Sequence, residues 1–434
     1  MRFGVNYTPS GNWFHSWLDF SASAVARDFE AIASLGADHV RIFPLWPVVQ
    51  PNRSLVRASA LADIVEVVDI AASFGLDANV DALQGHLSSF DFLPSWLDSW
   101  HRRNMFTDPD VVGSTAAYVR QLASALAGRP NLLGVTIGNE LNQFAHAPHP
   151  SPHTVGPGQA ASWLSTMVAA ARDGLGGAER HAPSVTVAQY DAAWYDDDQP
   201  FGPEHAAEHG DMTITHSWVF NGAGQLHGSL GAGSVRHGEY LMQLAAAWNR
   251  EPGRPNWLQE VGAPTTVVAP EDAPDFVERT IRHAADVQNA FGVTWWCSHD
   301  VSRALADFPE LEYDLGLFSS DGVLKPVGAR FAEVARELGG RPSEQAPPAE
   351  AIVLDDVDAQ GRPNPHVRRS CAPGGGFARA WLAVAEESGR GPQVVLRSRS
   401  TDRAMLDARG IGRLIEAAGT ADAPVSVPHP AVAP

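Results

Sequence analysis

Cysteine is almost missing from this chain: Cys297 and Cys371 are the only two in 434 residues. They lie far apart and in no metal-ligand spacing, so a disulfide framework and a thiolate metal site are both excluded, and free thiols in a reducing compartment are expected. Long apolar runs are missing as well. Nothing approaches the ~20 residues of a membrane-spanning helix. The opening, Met1 to Tyr7, carries neither an apolar h-region nor a small-residue cleavage site, so the expected location is cytoplasmic and no membrane partner is expected. Basic residues are the third shortage. Lys and Arg total 31 against 50 Asp and Glu, a net charge of −19. Such a surface repels a phosphate backbone, which excludes a nucleic-acid partner and disfavours polyanions; a small neutral ligand fits better, sugars being one such class. No glycine-rich phosphate loop follows the first apolar run, and no Gly-x-Ser-x-Gly motif supports serine nucleophile chemistry.

What is present is an ordinary globular composition, 44% hydrophobic and 19% charged, long enough for one barrel of about 250 residues or more with insertions. Short apolar runs alternate with longer helical stretches up to about residue 340. The strand candidates are Phe3–Tyr7, His39–Phe43, Leu76–Asp81, Leu132–Gly138, Ser184–Gln189, Met212–His216, Asn256–Gln259 and Val293–Trp296. Helical stretches follow them, with Gly36 and Gly75 placed to stop the first two. Strand–helix units without hairpin signals imply parallel strands, and eight of them favour a closed α/β (β/α)8 TIM barrel over an open doubly wound sheet. The expected domains are a barrel over 1–340, a Gly/Pro-rich linker over 341–350, and a small C-terminal α/β module over 351–434. The module's Ala- and Pro-rich tail, from Ala418, is expected to be disordered.

In a parallel barrel the reacting groups stand at the carboxyl ends of the strands. Arg41 falls there on strand two, Asp81 and His86 at and beyond the end of strand three, Asn139 and Glu140 after strand four, His216 and Trp218 at strand six, Glu260 after strand seven, and Trp295 and Trp296 after strand eight. One glutamate at a strand end usually means an ion pair or solvent exposure. Two on strands that face each other across the mouth are what glycosidic hydrolysis requires, one to protonate the leaving oxygen and one to attack the anomeric carbon or activate water. Asn139 suits a hydrogen bond to a sugar hydroxyl. Arg41 can pair with a carboxylate and keep it ionised. His86 and His216 are candidates for binding hydroxyls or tuning the glutamates. There are 13 tryptophans, several in loops, where rings can stack on sugar faces. The histidine-rich stretch His146–His153 reads as a Pro-rich loop rather than a metal site, and neither metal nor cofactor is expected.

These residues resemble glycoside hydrolase family 5 over about residues 1–340: Arg41, Asn139-Glu140, His216, Glu260 in Gln-Glu-Val-Gly, and Trp296. The resemblance implies Glu140 as acid/base, Glu260 as nucleophile, net retention, Asn139 on the sugar 2-hydroxyl and Trp296 as floor of the cleavage subsite. His86 is similar to the family's histidine near strand three. One departure stands out. The family carries His-x-Tyr after strand six, its Tyr bonded to the nucleophile; here the residues are His216-Ser217-Trp218, so Trp218, Tyr190 or Tyr195 must serve Glu260. Further, Gly4–Ser10 with Trp13–Trp17, and Gln84–Phe90, resemble a bacterial intracellular exo-β-mannosidase subfamily acting on short saccharides such as mannosyl-β-1,4-N-acetylglucosamine. The expected activity is a retaining exo-β-mannosidase with a small neutral oligosaccharide as its partner. The alternatives are β-glucosidase, β-galactosidase or endo-β-mannanase on the same barrel, or a non-catalytic carbohydrate-binding protein.

Overall fold

The computed structural model describes residues 1–177, 183–340 and 346–417. The first part of the expected linker and the tail from Ala418 lie outside the described residues. Eight parallel strands form the barrel: β1 (Arg2–Asn6), β2 (His39–Ile42), β3 (Asp77–Leu83), β4 (Leu132–Gly138), β5 (Ser184–Thr186), β6 (Thr213–Ser217), β7 (Asn256–Val261) and β8 (Ala290–Trp295). They hydrogen-bond in the order β5-β4-β3-β2-β1-β8-β7-β6. The seam between β5 and β6 is bridged by Asp211. Its N–H donates to the Val185 carbonyl at 2.8 Å, and its carboxylate accepts from the Val185 N–H at 2.8 Å. A side chain thus stands in for the missing ladder bond, so the barrel comes close to full closure.

The return helices follow from local signals. In α1 (Ala22–Ser34), Ser21 caps the first turn, while Val25, Phe29 and Ile32 share the buried face. The helix stops at Gly36, at φ +81°. Helix α2 (Ala58–Ser73) stops likewise at Gly75, at φ +72°. In α3 (Pro109–Leu126), Asp108 caps and Pro109 occupies the first helical position. The others that matter below are α4 (Pro157–Gly174), α5 (Pro203–Glu208), α6 (His237–Trp248), α7 (Ala273–Ala285) and α8 (Pro326–Leu338).

The inside of the barrel is unusually polar. His39 Nε2 and the Trp257 indole both meet Thr294 Oγ1 at 2.8 Å. Above them, Asn79, Thr186 and Gln259 converge on Thr136 Oγ1 at 2.8, 2.9 and 3.2 Å. Gly4 is dictated by this filling, since a Cβ there would fall 2.2 Å from the His39 ring. The apolar core lies outside, between strands and helices, where Val5, Val40, Val80 and Val135 are fully buried. The polar stack leads up the axis to the mouth.

Beyond the barrel, β9 (Glu350–Leu354), β10 (Gln393–Leu396) and β11 (Arg413–Glu416) form a parallel sheet with β9 central. Helix α9 (Gly376–Ser388) brings Phe377 and Trp381 against Tyr240, Leu241 and Leu244 of α6. Tyr240 also donates to the Cys371 carbonyl at 2.8 Å.

Candidate active site

Glu140 and Glu260 converge at the mouth. One carboxylate oxygen of each, together with a ring nitrogen of His216, lies within 4.8 Å of the others. The backbone has to be bent to achieve this. On β7 the register skips a residue: Thr215 opposes Leu258 and His216 opposes Glu260. The pairing with β8 shows the same extra residue, with Val293 opposite Leu258 and Trp295 opposite Val261. Strict alternation would send Gln259 and Glu260 to opposite faces; the bulge aims both inward. Glu140 adopts the left-handed conformation, φ +50°, as β4 turns into the 3-10 segment Leu141–Ala145. A non-glycine residue held there is strained backbone of the kind concentrated at functional sites. The preceding Gly138 lets the chain pass, since a Cβ would lie 2.8 Å from the Leu83 carbonyl oxygen.

The two carboxyls are held differently. Arg41 is fully buried and forks across the mouth. Its Nη1 donates to Glu260 Oε1 at 2.6 Å, and Nε and Nη2 donate to Asp81 at 2.8 and 2.6 Å. The Trp218 indole donates to Glu260 Oε2 at 3.3 Å. Trp218 therefore fills the place of the expected tyrosine, while Tyr195 is engaged instead with His237 at 3.0 Å. Gly262 makes room, as a Cβ there would meet the Trp218 ring at 3.0 Å. Among the described residues, no arginine is bonded to Glu140. Its Oε1 meets His216 Nδ1 at 2.6 Å, and its Oε2 accepts from the Gln143 amide at 2.6 Å.

The electrostatics follow this asymmetry. Burial pushes the Glu140 carboxyl up to about 7, against the pull of His86, Arg41 and the Gln143 hydrogen bond. Burial also raises Glu260, opposed by His216 and by the direct contact with Arg41. His216 is driven down to about 4 by burial, so it is neutral at pH 7. Glu140 is thus the carboxyl better placed to keep a proton, and Glu260 the one with a cation to hold its charge. The ligand types of Glu140, His216 and Glu260 would also suit a divalent cation, but such an ion would compete with Arg41 for Glu260.

The remaining expected residues fall around this pair. Asn139 accepts from Arg41 Nη2 at 2.9 Å and donates to the His86 carbonyl at 3.1 Å, leaving a second amide hydrogen. The His86 ring nitrogen Nδ1 meets Asp91 at 3.1 Å, and the backbone carbonyl joins the network through Asn139. Trp296 packs edge-on against Trp218 and Phe43, with ring centroids 6.3 and 5.4 Å away. Asp81 stands at the strand end where it was expected, but Gln143, Asp191 and Glu312 were not anticipated as part of this constellation. Asp191, buried after β5, accepts from Asn221 at 2.9 Å, and burial raises it to about 8 with help from the Glu140 charge. Glu312 lies in a long loop and offered no signal. The histidine-rich loop is tied down by His149 on Asp91 at 3.0 Å.

An eight-stranded parallel barrel with two buried, differently held glutamates at its carboxyl mouth defines a (β/α)8 glycoside hydrolase. No protein-family model matches the chain, and neither does any curated protein. Solved structures do. A GH5_18 variant from Streptomyces cattleya in complex with Manβ1-4GlcNAc is 50% identical, covering 96% of this chain and 98% of its own, with a TM-score of 0.91. The GH5_18 from the same organism in complex with GlcNAc is also 50% identical over 96% and 98%, with a TM-score of 0.90. A GH5_18 variant from Bifidobacterium longum subsp. longum in complex with Manβ1-4GlcNAc is 41% identical, covering 96% of each chain, with a TM-score of 0.90. The chain belongs to glycoside hydrolase family 5, subfamily 18.

Proposed function

We propose that this enzyme is a retaining exo-β-mannosidase that hydrolyses mannosyl-β-1,4-N-acetylglucosamine and similar short saccharides. The carrying observation is the approach of Glu140 and Glu260, with oxygens within 4.8 Å. An approach of this order suits double displacement, in which the two carboxyl groups stand about 5–5.5 Å apart. Glu260 attacks the anomeric carbon while Glu140 donates its proton to the leaving N-acetylglucosamine oxygen. Water then attacks the mannosyl-enzyme, and Glu140, now a carboxylate, takes its proton as the second sugar leaves free. Arg41 and Trp218 hold Glu260 in its ionised form and its attacking orientation. The spare amide hydrogen of Asn139 is available to the 2-hydroxyl, and the Trp296 ring floors the reacting sugar. The mannosyl preference rests on the disaccharide held by relatives at 50% and 41% identity.

The partner in this reading is a small neutral saccharide, consistent with the −19 charge. We place the enzyme in the cytoplasm, where its two buried, unpaired cysteines stay reduced; among the described residues no helix is long and apolar enough to cross a membrane.

Proton NMR during hydrolysis of Manβ1-4GlcNAc tests the mechanism, with β-mannose expected first and the α anomer only by later mutarotation. First release of α-mannose overturns retention. A panel of aryl β-glycosides and mannan tests the sugar, and a preference for glucoside, galactoside or internal mannan cleavage overturns the mannosidase assignment.

A further inference from the structure

A further acidic side chain approaches the site from the loop that follows β8. Glu312 lies in residues 296–325, on the 3-10 segment Glu310–Asp314. Its Oε2 accepts from the Ser88 hydroxyl at 2.7 Å, joining two loops 224 residues apart in sequence. The side chain is only half-buried, yet it lies close enough to feel the charges of both His86 and Glu140. A carboxylate set among these groups with part of its surface still open borders the active-site cleft.

Ser88 is positioned at a price in conformation. It sits with Ser89 in the turn of a small hairpin, His86–Leu87 paired with Phe90–Asp91. Both serines have positive φ, 49° and 72°. Asn and Gly take such positions easily, whereas serine does not. Behind Glu312 stands a wall of rings. Phe308 meets Trp13 and Phe90 with centroids 4.8 Å apart in each case, and Tyr313 packs on Phe308 at 5.7 Å. The loops after β1, β3 and β8 therefore meet and shut this side of the mouth. A sugar chain cannot continue through it, so the residue bound between the wall and the glutamates is a chain terminus.

We propose that Glu312 is the receptor for the hydroxyls of the non-reducing terminal sugar remote from the scissile bond, and so the residue that makes the enzyme read a chain end. This rests on the exo-glycosidase reading above. One carboxylate oxygen is fixed by Ser88 and the other is left to accept from the sugar. An acceptor placed for a hydroxyl, and shut off from water once the sugar is bound, discriminates against a substrate that lacks that hydroxyl, because the acceptor is then left unpaired.

The test compares wild type, Glu312→Gln and Glu312→Ala on 4-nitrophenyl β-mannoside and its 3-deoxy, 4-deoxy and 6-deoxy analogues, after thermal melts have established folding. Wild type is expected to lose more than about tenfold in kcat/KM on at least one analogue. Glu312→Ala is expected to lose a similar factor on the parent, yet to match wild type on that analogue. Glu312→Gln, which keeps the shape, carries the comparison if the alanine variant does not fold. The same pattern of analogue rates in wild type and variants overturns the proposal. So does a change confined to the pH profile, which would make Glu312 only a charge near Glu140. If wild type prefers another glycoside, the mannosidase reading fails, and the deoxy series of the preferred sugar still decides Glu312.

Discussion

The guanidinium of Arg41 stands between two buried carboxylates, donating to Glu260 and to Asp81 at 2.6 Å each. It is the fixed charge on which the difference between the two glutamates turns, and the first prediction concerns its removal. Arg41→Met leaves both carboxylates without their cation. Breaking a buried ion pair from one side typically costs about 3–5 kcal/mol, which a thermal melt would read as a large fall in Tm. Arg41→Lys keeps the charge but not the fork, and is expected to fold while losing kcat/KM by about a hundredfold or more. Wild-type kinetics in the lysine variant would refute the positioning role.

A second expectation concerns pH. Glu140, raised to about 7 by burial, carries the proton below that value and loses it above, so kcat/KM should fall as pH rises through about 7. Glu260 must be ionised to attack, so activity should also fall as pH drops through its own raised pKa. The profile is therefore bell-shaped. Glu140→Gln, assayed on a 2,4-dinitrophenyl glycoside that needs no acid, should lose the basic limb and keep the acidic one. Persistence of the basic limb in that variant would assign it to another group.

Removal of the nucleophile gives the third. Glu260→Ala should lower kcat by at least about 10⁴-fold while leaving binding of Manβ1-4GlcNAc detectable by calorimetry. Turnover within tenfold of wild type would take Glu260 out of the mechanism.

Trp218 makes a finer point. Trp218→Phe keeps an aromatic ring but deletes the N–H on Glu260, so the acidic limb should move to higher pH and kcat/KM should fall by about tenfold. An unmoved limb would mean that the 3.3 Å contact carries no electrostatic weight.

The last prediction is one of stability. Trp381, fully buried, packs on Tyr240 of α6 with ring centroids 5.0 Å apart. Trp381→Ala should cost about 3–5 kcal/mol, visible in a denaturant melt, with kcat/KM on the remaining folded protein unchanged. A negligible change in stability would show that the C-terminal sheet contributes little to the barrel.

Much of this molecule was written locally. The alternation of apolar runs with capped helices marked the barrel, because strand and helix periods and the glycines at positions 36 and 75 act over a few residues. The strand-end positions of Arg41, Glu140, His216 and Glu260 were legible for the same reason. Other features have no local signature. The extra residue that turns both Gln259 and Glu260 inward exists only in the pairing of β7 with its two neighbours. Whether Trp218 or a tyrosine serves Glu260 depended on which ring reaches it in space. Glu312 arrives from a loop whose path is set by contacts with Trp13 and the Ser88 hairpin. Sequence fixes chemistry and period residue by residue; register, loop trajectory and the choice among equivalent partners are decided by contacts between segments hundreds of residues apart, and only the folded chain brings those together.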